Sequence, residues 1–165
     1  MKIHLGLLRP TAARMLIGAL RKEYPNIPIH VHTHDTSGSG VASMLACIEA
    51  GADAVDCASD AMSGLTSQPA MGPLVYELRN TGIDHNEMLH LTRYWEGARR
   101  LYAPFESGQK SAGSDVYINE IPGGQYTNML FQALSLGLYD QWDEIKTAYH
   151  QANLLLGDIV KGIFF

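Results

Sequence analysis

Residues 29–34, IHVHTH, alternate between two sets of side chains. On a strand, isoleucine, valine and threonine fall on one face and the three histidines on the other. The segment Ala54–Ala58 is short, apolar and followed by polar residues, as a buried parallel strand would be. Between these segments, Val41–Ala50 has a helical pattern closed by Gly51. A helix between two strands predicts a βαβ unit.

The other periodic segments are helical. Pro10 marks the start of a predicted helix over Thr11–Tyr24. Residues 105–125 are rich in glycine and polar residues and predict a loop. The chain is therefore expected to be α/β at its front and helical behind, with further helices over Pro73–Arg79, Asn86–Tyr102, Thr127–Leu136 and Gln141–Val160.

Composition excludes several classes of protein. The 165 residues suffice for one core, and 46% hydrophobic with 18% charged residues is typical of a globular domain. A formal net charge of −5 provides no basic surface, so we expect no nucleic-acid partner. No apolar run has the length of a membrane span, and no signal peptide is expected. Cys47 and Cys57 lie in apolar segments and predict reduced core thiols, which suits the cytosol or the mitochondrial matrix.

The histidine pattern is the strongest chemical signal. Residues i and i+2 on a strand share a face, so two imidazoles at this spacing can bind one metal ion. His32 and His34 lie at the carboxyl end of the strand, where α/β enzymes place their chemistry. His30 lies deeper and is interpreted as interior packing or as support for the ligands. The alternative, that the pair only packs or is solvated, is common for histidines in strands.

Two histidines leave a metal ion under-ligated, because catalytic zinc takes three protein ligands. Asp35 and Asp60 are possible oxygen donors nearby. Lys2 could serve only if carbon dioxide converted its amine to a carbamate.

The segment after the histidines, DTSGSG, predicts a tight βα turn. Thr36 or Ser37 can cap the following helix, and Gly38 and Gly40 allow the backbone to turn close to a ligand. As a phosphate cradle this signal is weak.

Long motifs resemble a known family. The segments IHVHTHDTSGSGVASMLACIEAGADAVDCASDAMSGLTSQPAMG, YWEGARRLYAPFESG and SDVYINEIPGGQYTNMLFQA closely resemble the carboxyltransferase domain of pyruvate carboxylases. The resemblance runs from about Gly6 to Lys161. Related decarboxylase and transcarboxylase subunits carry cysteine and alanine where this chain has Thr33 and Asp35.

The resemblance implies the second half of a TIM (β/α) barrel over residues 1–80 and an α-helical extension over residues 81–165. It also implies a divalent metal, zinc or manganese, at the carboxyl mouth of the barrel. His32 and His34 match two ligands. The family segment KDMAGLL aligns with KIHLGLL, which places the carboxylated lysine at Lys2. The family's aspartate ligand and its pyruvate-binding arginine lie in the first barrel half.

The implied activity is that of a biotin-dependent carboxylase, a ligase. It transfers a carboxyl group from carboxybiotin, supplied by a separate carrier domain, to pyruvate and gives oxaloacetate. Ile163 occupies the position of the family's proton-shuttling threonine, so no catalytic residue is assigned here, and cofactor-binding residues are not assigned either. We expect the isolated chain to be an inactive fragment that binds metal weakly and forms a homo-oligomer or associates with the first barrel half.

Three other functions compete with this interpretation. One is a non-catalytic module that docks on full-length subunits, and another is the alpha subunit of an oxaloacetate decarboxylase or transcarboxylase. A metal-dependent amidohydrolase is set aside, because no later histidine follows a predicted strand. The remaining motifs are interpreted as architecture: PGGQ as a turn before a helix, and Tyr94, Trp95 and Tyr102 as core packing.

Overall fold

A computed structural model describes residues 2–4, 7–78 and 81–157 of the chain. In these residues a small sheet with its crossover helices comes first, and helices follow. The strands are β1 Lys2–His4, β2 His30–His32 and β3 Ala54–Val55. The helices are α1 Pro10–Glu23, α2 Gly40–Glu49, α3 Met71–Leu78, α4 His85–Tyr102, α5 Val116–Asn119, α6 Gly123–Ser135 and α7 Trp142–Leu155. Short 3-10 turns cover Asp60–Met62, Ala103–Phe105 and Tyr139–Gln141.

The sheet is parallel, with the strand order β1-β2-β3. Helix α1 connects β1 to β2 and α2 connects β2 to β3, so the predicted βαβ unit is confirmed and preceded by a second one. The strand β1, which the hydrophobic pattern did not predict, pairs Lys2 with His30 and His4 with His32. Ladder pairing ends at His32, which makes β2 shorter than predicted.

The core lies between the sheet and the two crossover helices. Ile29 and Val31 on the sheet side of the core are fully buried. They belong to one hydrophobic cluster with Ile17 of α1 and Met44 of α2. Removing such side chains from water is the main force that holds helices on a sheet. Cys47 also belongs to this core and is not in a disulfide, and burial raises the pKa of its thiol to about 11.

Arg21 of α1 connects the two loops that precede β2 and β3. Its guanidinium donates to the carbonyl oxygens of Gly51 (2.7 Å from Nη2), Pro25 and Ile27 (3.0 Å each), and it forms an ion pair with Asp53. These partners belong to the loops that precede β2 and β3. One side chain of α1 therefore sets the position of both loops.

Asp53 links Arg21 to the sheet. Its carboxylate accepts a hydrogen bond of 2.7 Å from the backbone N–H of Ile29. This bond, together with the hydrogen bond from Arg21, holds the pKa of Asp53 below its usual value of 3.8. A carboxyl group with a lowered pKa stabilises the fold above that value, and the contribution is lost as the pH falls through the folded pKa.

The helices of the second half begin and end close to the predicted positions, within the described residues. The predicted ends at Arg79 and Val160 lie outside the described residues. Helix α5 interrupts the predicted loop and ends at Glu120, whose φ of 55° is left-handed. The interpretation of PGGQ as a turn before a helix was wrong, because Pro122 is the N-cap residue of α6 and Gly123, Gly124 and Gln125 form its first turn, four residues before the predicted start at Thr127.

The interpretation of the aromatic cluster of α4 as core packing was wrong for Tyr94 and Tyr102, whereas Trp95 is half-buried. Tyr94 is 63% exposed and Tyr102 is 49% exposed. Helix α4 packs on α3 and on the turn Asp60–Met62 through the face that carries buried Met88. Six residues later, Tyr94 lies about 240° further around the helix and faces away.

No described helix combines the length and the apolar character that crossing a lipid bilayer requires.

We expect Arg21→Lys to destabilise the fold by about 1–3 kcal/mol, because a lysine cannot reach the same set of carbonyl oxygens and leaves some without a donor. Arg14→Lys is the matched control on the same helix. The ion pair of Arg14 with Glu49 is solvent-exposed, so its change should stay within about 0.5 kcal/mol. Urea unfolding of both variants measures the difference, and equal losses would contradict the role of Arg21.

Candidate metal centre

The three histidines lie on and just beyond the central strand. His30 and His32 belong to β2, with Val31 between them in the core. His34 follows two residues after the strand ends. The alternation predicted from sequence thus places the imidazoles on the side of the sheet opposite the core helices, at the carboxyl ends of the strands.

One carboxylate binds two of these rings. Oδ1 of Asp56 lies 2.5 Å from Nε2 of His30, and its Oδ2 lies 2.7 Å from Nδ1 of His32. An ionised carboxylate only accepts hydrogen bonds, so both ring nitrogens carry a proton. The proton of His32 is therefore on Nδ1, and a metal ion would bind this ring through Nε2.

A backbone carbonyl oxygen orients His34 in the same way. The ring nitrogen Nδ1 lies 2.6 Å from the carbonyl oxygen of Thr66. A carbonyl is only an acceptor, so Nδ1 is the donor and Nε2 has the lone pair. The rings of His32 and His34 meet edge to face with centroids 5.2 Å apart. Both rings thus have the tautomer that metal ligation through Nε2 needs.

The two nearby aspartates named from sequence are engaged at helix starts. Oδ1 of Asp35 accepts a hydrogen bond of 2.7 Å from the backbone N–H of Gly40, in the first turn of α2. Burial raises the pKa of Asp35, and this hydrogen bond partly opposes the shift. Oδ1 of Asp60 accepts a bond of 2.7 Å from Gly72 at the start of α3. Each carboxylate thus satisfies backbone donors that a helix leaves unpaired.

The third predicted ligand, Lys2, lies in β1 beside His30 in the ladder. The position of its side chain lies outside what the structure describes. Over the described part of the chain, no three histidine, cysteine, aspartate or glutamate side chains are grouped so that they could hold a metal ion. The pair His32 and His34 is what the described residues contribute.

The prediction that Thr36 or Ser37 caps α2 was wrong. The N-cap residue is Ser39, and the side chain that reaches the first turn is that of Asp35. The hydroxyl groups of Ser37 and Ser39 instead bond to each other (2.7 Å) and to the hydroxyl of Tyr117, at 2.9 and 2.8 Å. The turn is therefore tied to the helical second half of the chain.

Sequence reasoning missed Asp56 and Thr66. A signal for Asp56 was available, because it follows β3 directly and the carboxyl ends of neighbouring parallel strands meet at one edge of a sheet. For Thr66 no side-chain signal exists, since its backbone carbonyl makes the contact.

Comparison with known proteins decides the family. The HMGL-like family model matches residues 4–96, which is more than half of the chain. The chain belongs to the HMGL-like family. A second model, described as the conserved carboxylase domain, matches residues 116–162.

Within the HMGL-like family, the chain resembles pyruvate carboxylases, as its motifs predicted. It is 59% identical over 162 residues to pyruvate carboxylase 1 of Caenorhabditis elegans and 56% identical to the mitochondrial pyruvate carboxylase of Homo sapiens. Each match covers 94% of this chain and 14% of the relative. The chain thus spans about one seventh of the length of these relatives.

Solved structures confirm the expected fold class, a partial TIM-type barrel followed by a helical extension. The carboxyl transferase domain of Rhizobium etli pyruvate carboxylase with oxamate and biotin superimposes with a TM-score of 0.92 and 49% identity. The match covers 98% of this chain and 28% of that one. A second structure of that domain, with pyruvate, gives a TM-score of 0.91 and 50% identity.

We expect Asp56→Asn to disturb the tautomers of the two rings that Asp56 binds. An asparagine offers one acceptor oxygen in place of two, so His30 and His32 cannot both keep their hydrogen bonds. Long-range nitrogen-15 NMR of labelled imidazoles should show a mixture of tautomers at one or both rings. Asp60→Asn is the control, because Asp60 bonds to Gly72 and should leave these rings unchanged. Unaltered His30 and His32 spectra in Asp56→Asn would contradict the assignment.

Proposed function

We propose that this chain supplies part of the carboxyltransferase site of a biotin-dependent carboxylase that converts pyruvate to oxaloacetate. The observation that carries the proposal is the pair His32 and His34, with each Nδ1 engaged by an acceptor. The similarity to a domain whose structure holds oxamate and biotin supports it, because oxamate has the size and charge of pyruvate. The substrates are accordingly pyruvate and carboxybiotin, with biotin on a separate carrier domain.

A divalent metal ion fits the donor set. Neutral imidazoles are good ligands for zinc and related ions, and both rings are oriented by hydrogen bonds, as metal-binding histidines usually are. We propose His32 and His34 as ligands, and Lys2 as a third if its amine is carboxylated. When bound, the ion would act as a Lewis acid for the negative charge that develops on the enolate oxygen of pyruvate. Zinc and manganese are the candidates.

The residues of this chain have binding and orienting roles in this proposal. His32 and His34 bind the ion, while Asp56 and the carbonyl group of Thr66 fix the ring protons on Nδ1. The groups that bind the pyruvate carboxylate and move its methyl proton are proposed to come from other parts of the enzyme. No catalytic residue is assigned to the chain itself.

The domain division is proposed as residues 1–80 for the barrel half and 81–165 for the helical extension. Two family models that match residues 4–96 and 116–162 support two segments. We propose that the chain works in association with the first barrel half or as a homo-oligomer, in the cytosol or the mitochondrial matrix. The human relative is described as mitochondrial.

One observation favours a non-catalytic role as the second candidate. The segment after Lys2 reads IHL, where the family's KDMAGLL motif has DMA. An aspartate, a methionine and an alanine beside the lysine are thus replaced by Ile3, His4 and Leu5.

The first prediction concerns the ion itself. Titration with zinc or manganese should show one weakly bound ion per chain, and His32→Ala or His34→Ala should weaken it beyond the roughly 10–100-fold loss that is usual for supporting residues. His90→Ala on exposed α4 is the control and should bind as the parent chain does. Added bicarbonate should tighten binding in the parent but not in Lys2→Ala. Binding indifferent to both histidine substitutions would overturn the proposed site.

The second prediction separates the catalytic candidate from the non-catalytic one. The matching segment of pyruvate carboxylase 1 of Caenorhabditis elegans is replaced by this chain, and pyruvate-dependent oxaloacetate formation is measured. We expect reduced activity that rises when the family residues return through Ile3→Asp, His4→Met, Leu5→Ala and Ile163→Thr. His34→Ala in the restored chimera should abolish it. A restored chimera without activity would favour the non-catalytic role.

A further inference from the structure

The first turn of α6 lies directly against the histidine segment. A Cβ atom built on Gly123 would lie 2.9 Å from Cβ of His34, 3.0 Å from its Cγ and 2.9 Å from Oγ1 of Thr36. The next residue, Gly124, has nothing within 4 Å of the same position. Gly123 thus has no room for a side chain, whereas the adjacent Gly124 has open space at the same position.

Space, and not backbone conformation, requires the glycine at position 123. Gly123 lies in α6 and does not have a positive φ, so an alanine could adopt its backbone angles. Separations below 3.0 Å to a new methyl group essentially do not occur in proteins, so a neighbour would have to move. Cβ and Cγ of His34 are the root of the side chain, and their displacement moves the whole ring.

The same segment is also held by the loop that follows β3. Nδ1 of His34 donates to the carbonyl oxygen of Thr66 at 2.6 Å, and the N–H of Asp35 donates to that of Ser67 at 2.9 Å. His34 therefore contacts both this loop and Gly123. Movement away from Gly123 changes the geometry of the bond that places its proton on Nδ1.

We infer that Gly123 is a positioning residue for His34. Because glycine has no side chain, the first turn of α6 packs directly against His34 and holds its imidazole with Nε2 available to the metal. The metal part of this inference rests on the proposed function. The position of the ring and of its proton does not, because it concerns the metal-free chain. Gly123 belongs to residues 116–162, the segment matched by the conserved carboxylase domain, whereas His34 belongs to the HMGL-like segment. The helical half thus completes a site in the barrel half.

The experiment compares Gly123→Ala with Gly124→Ala in the full 165-residue chain. Nitrogen-15 NMR of the labelled imidazoles, with His34 assigned through His34→Gln, is recorded first without metal. The parent chain and Gly124→Ala should show His34 with its proton on Nδ1, and Gly123→Ala should show a shifted signal with both tautomers. Zinc titration follows, and Gly123→Ala should bind about tenfold more weakly than Gly124→Ala.

A second variant covers the case in which Gly123→Ala does not fold. Oγ1 of Thr36 has no hydrogen-bond partner among the described residues, so Thr36→Ala costs no bond there. The double variant Gly123→Ala/Thr36→Ala removes one of the close contacts and keeps those with His34. It should regain a cooperative unfolding transition while the His34 signal stays displaced.

Each outcome decides between the two claims. A metal-free His34 signal that is unchanged in Gly123→Ala, or changed as much in Gly124→Ala, overturns the positioning role. A displaced signal in Gly123→Ala together with a parent chain that binds no zinc supports positioning and counts against the proposed metal site.

Discussion

The strand β2 is the constraint on which the rest of the described structure depends. It is the central strand, so its backbone is bonded on both sides, and no register shift is possible without breaking both ladders. Val31 is fully buried against α1 and α2, which fixes the opposite face for His30 and His32. A slip of one residue would bury the histidines and expose the core side chain. Hydrophobic packing on one side therefore determines where the histidines of the proposed metal site lie on the other.

Acceptor groups then give these histidines a defined chemical state. The Asp56 carboxylate and the carbonyl oxygen of Thr66 only accept hydrogen bonds, so they select one tautomer of His32 and His34. Asp35, next to His34 in the sequence, and Asp60 satisfy helix N–H groups instead. Aspartate carboxylates in this region thus have two roles: Asp56 accepts hydrogen bonds from histidine rings, and Asp35 accepts one from a helix N–H group. The role of each aspartate depends on which donor lies next to it in the folded chain.

The helical half packs against the histidine segment and also exposes apolar surface. Leu101 is 77% exposed, Phe105 76% and Leu155 88%. These side chains lie on α4, on the 3-10 turn after it and on α7. The same half reaches the histidine segment through Tyr117 and Gly123.

The sequence by itself determined the elements and the pair of histidines that we propose as ligands. Period-2 alternation around Val31 and 3.6-residue periodicity in the helices are local properties, and they predicted β2, α1, α2 and most later helices near their observed bounds. The HVHTHD motif likewise identified His32 and His34. The tertiary structure alone decided that Asp56, the carbonyl group of Thr66 and the backbone of Gly123 surround them. It also decided that Tyr94 faces outward. These contacts join residues far apart in the chain, and the contact of Thr66 uses a backbone carbonyl group that every residue has, so local patterns do not show which residues meet before the chain is folded.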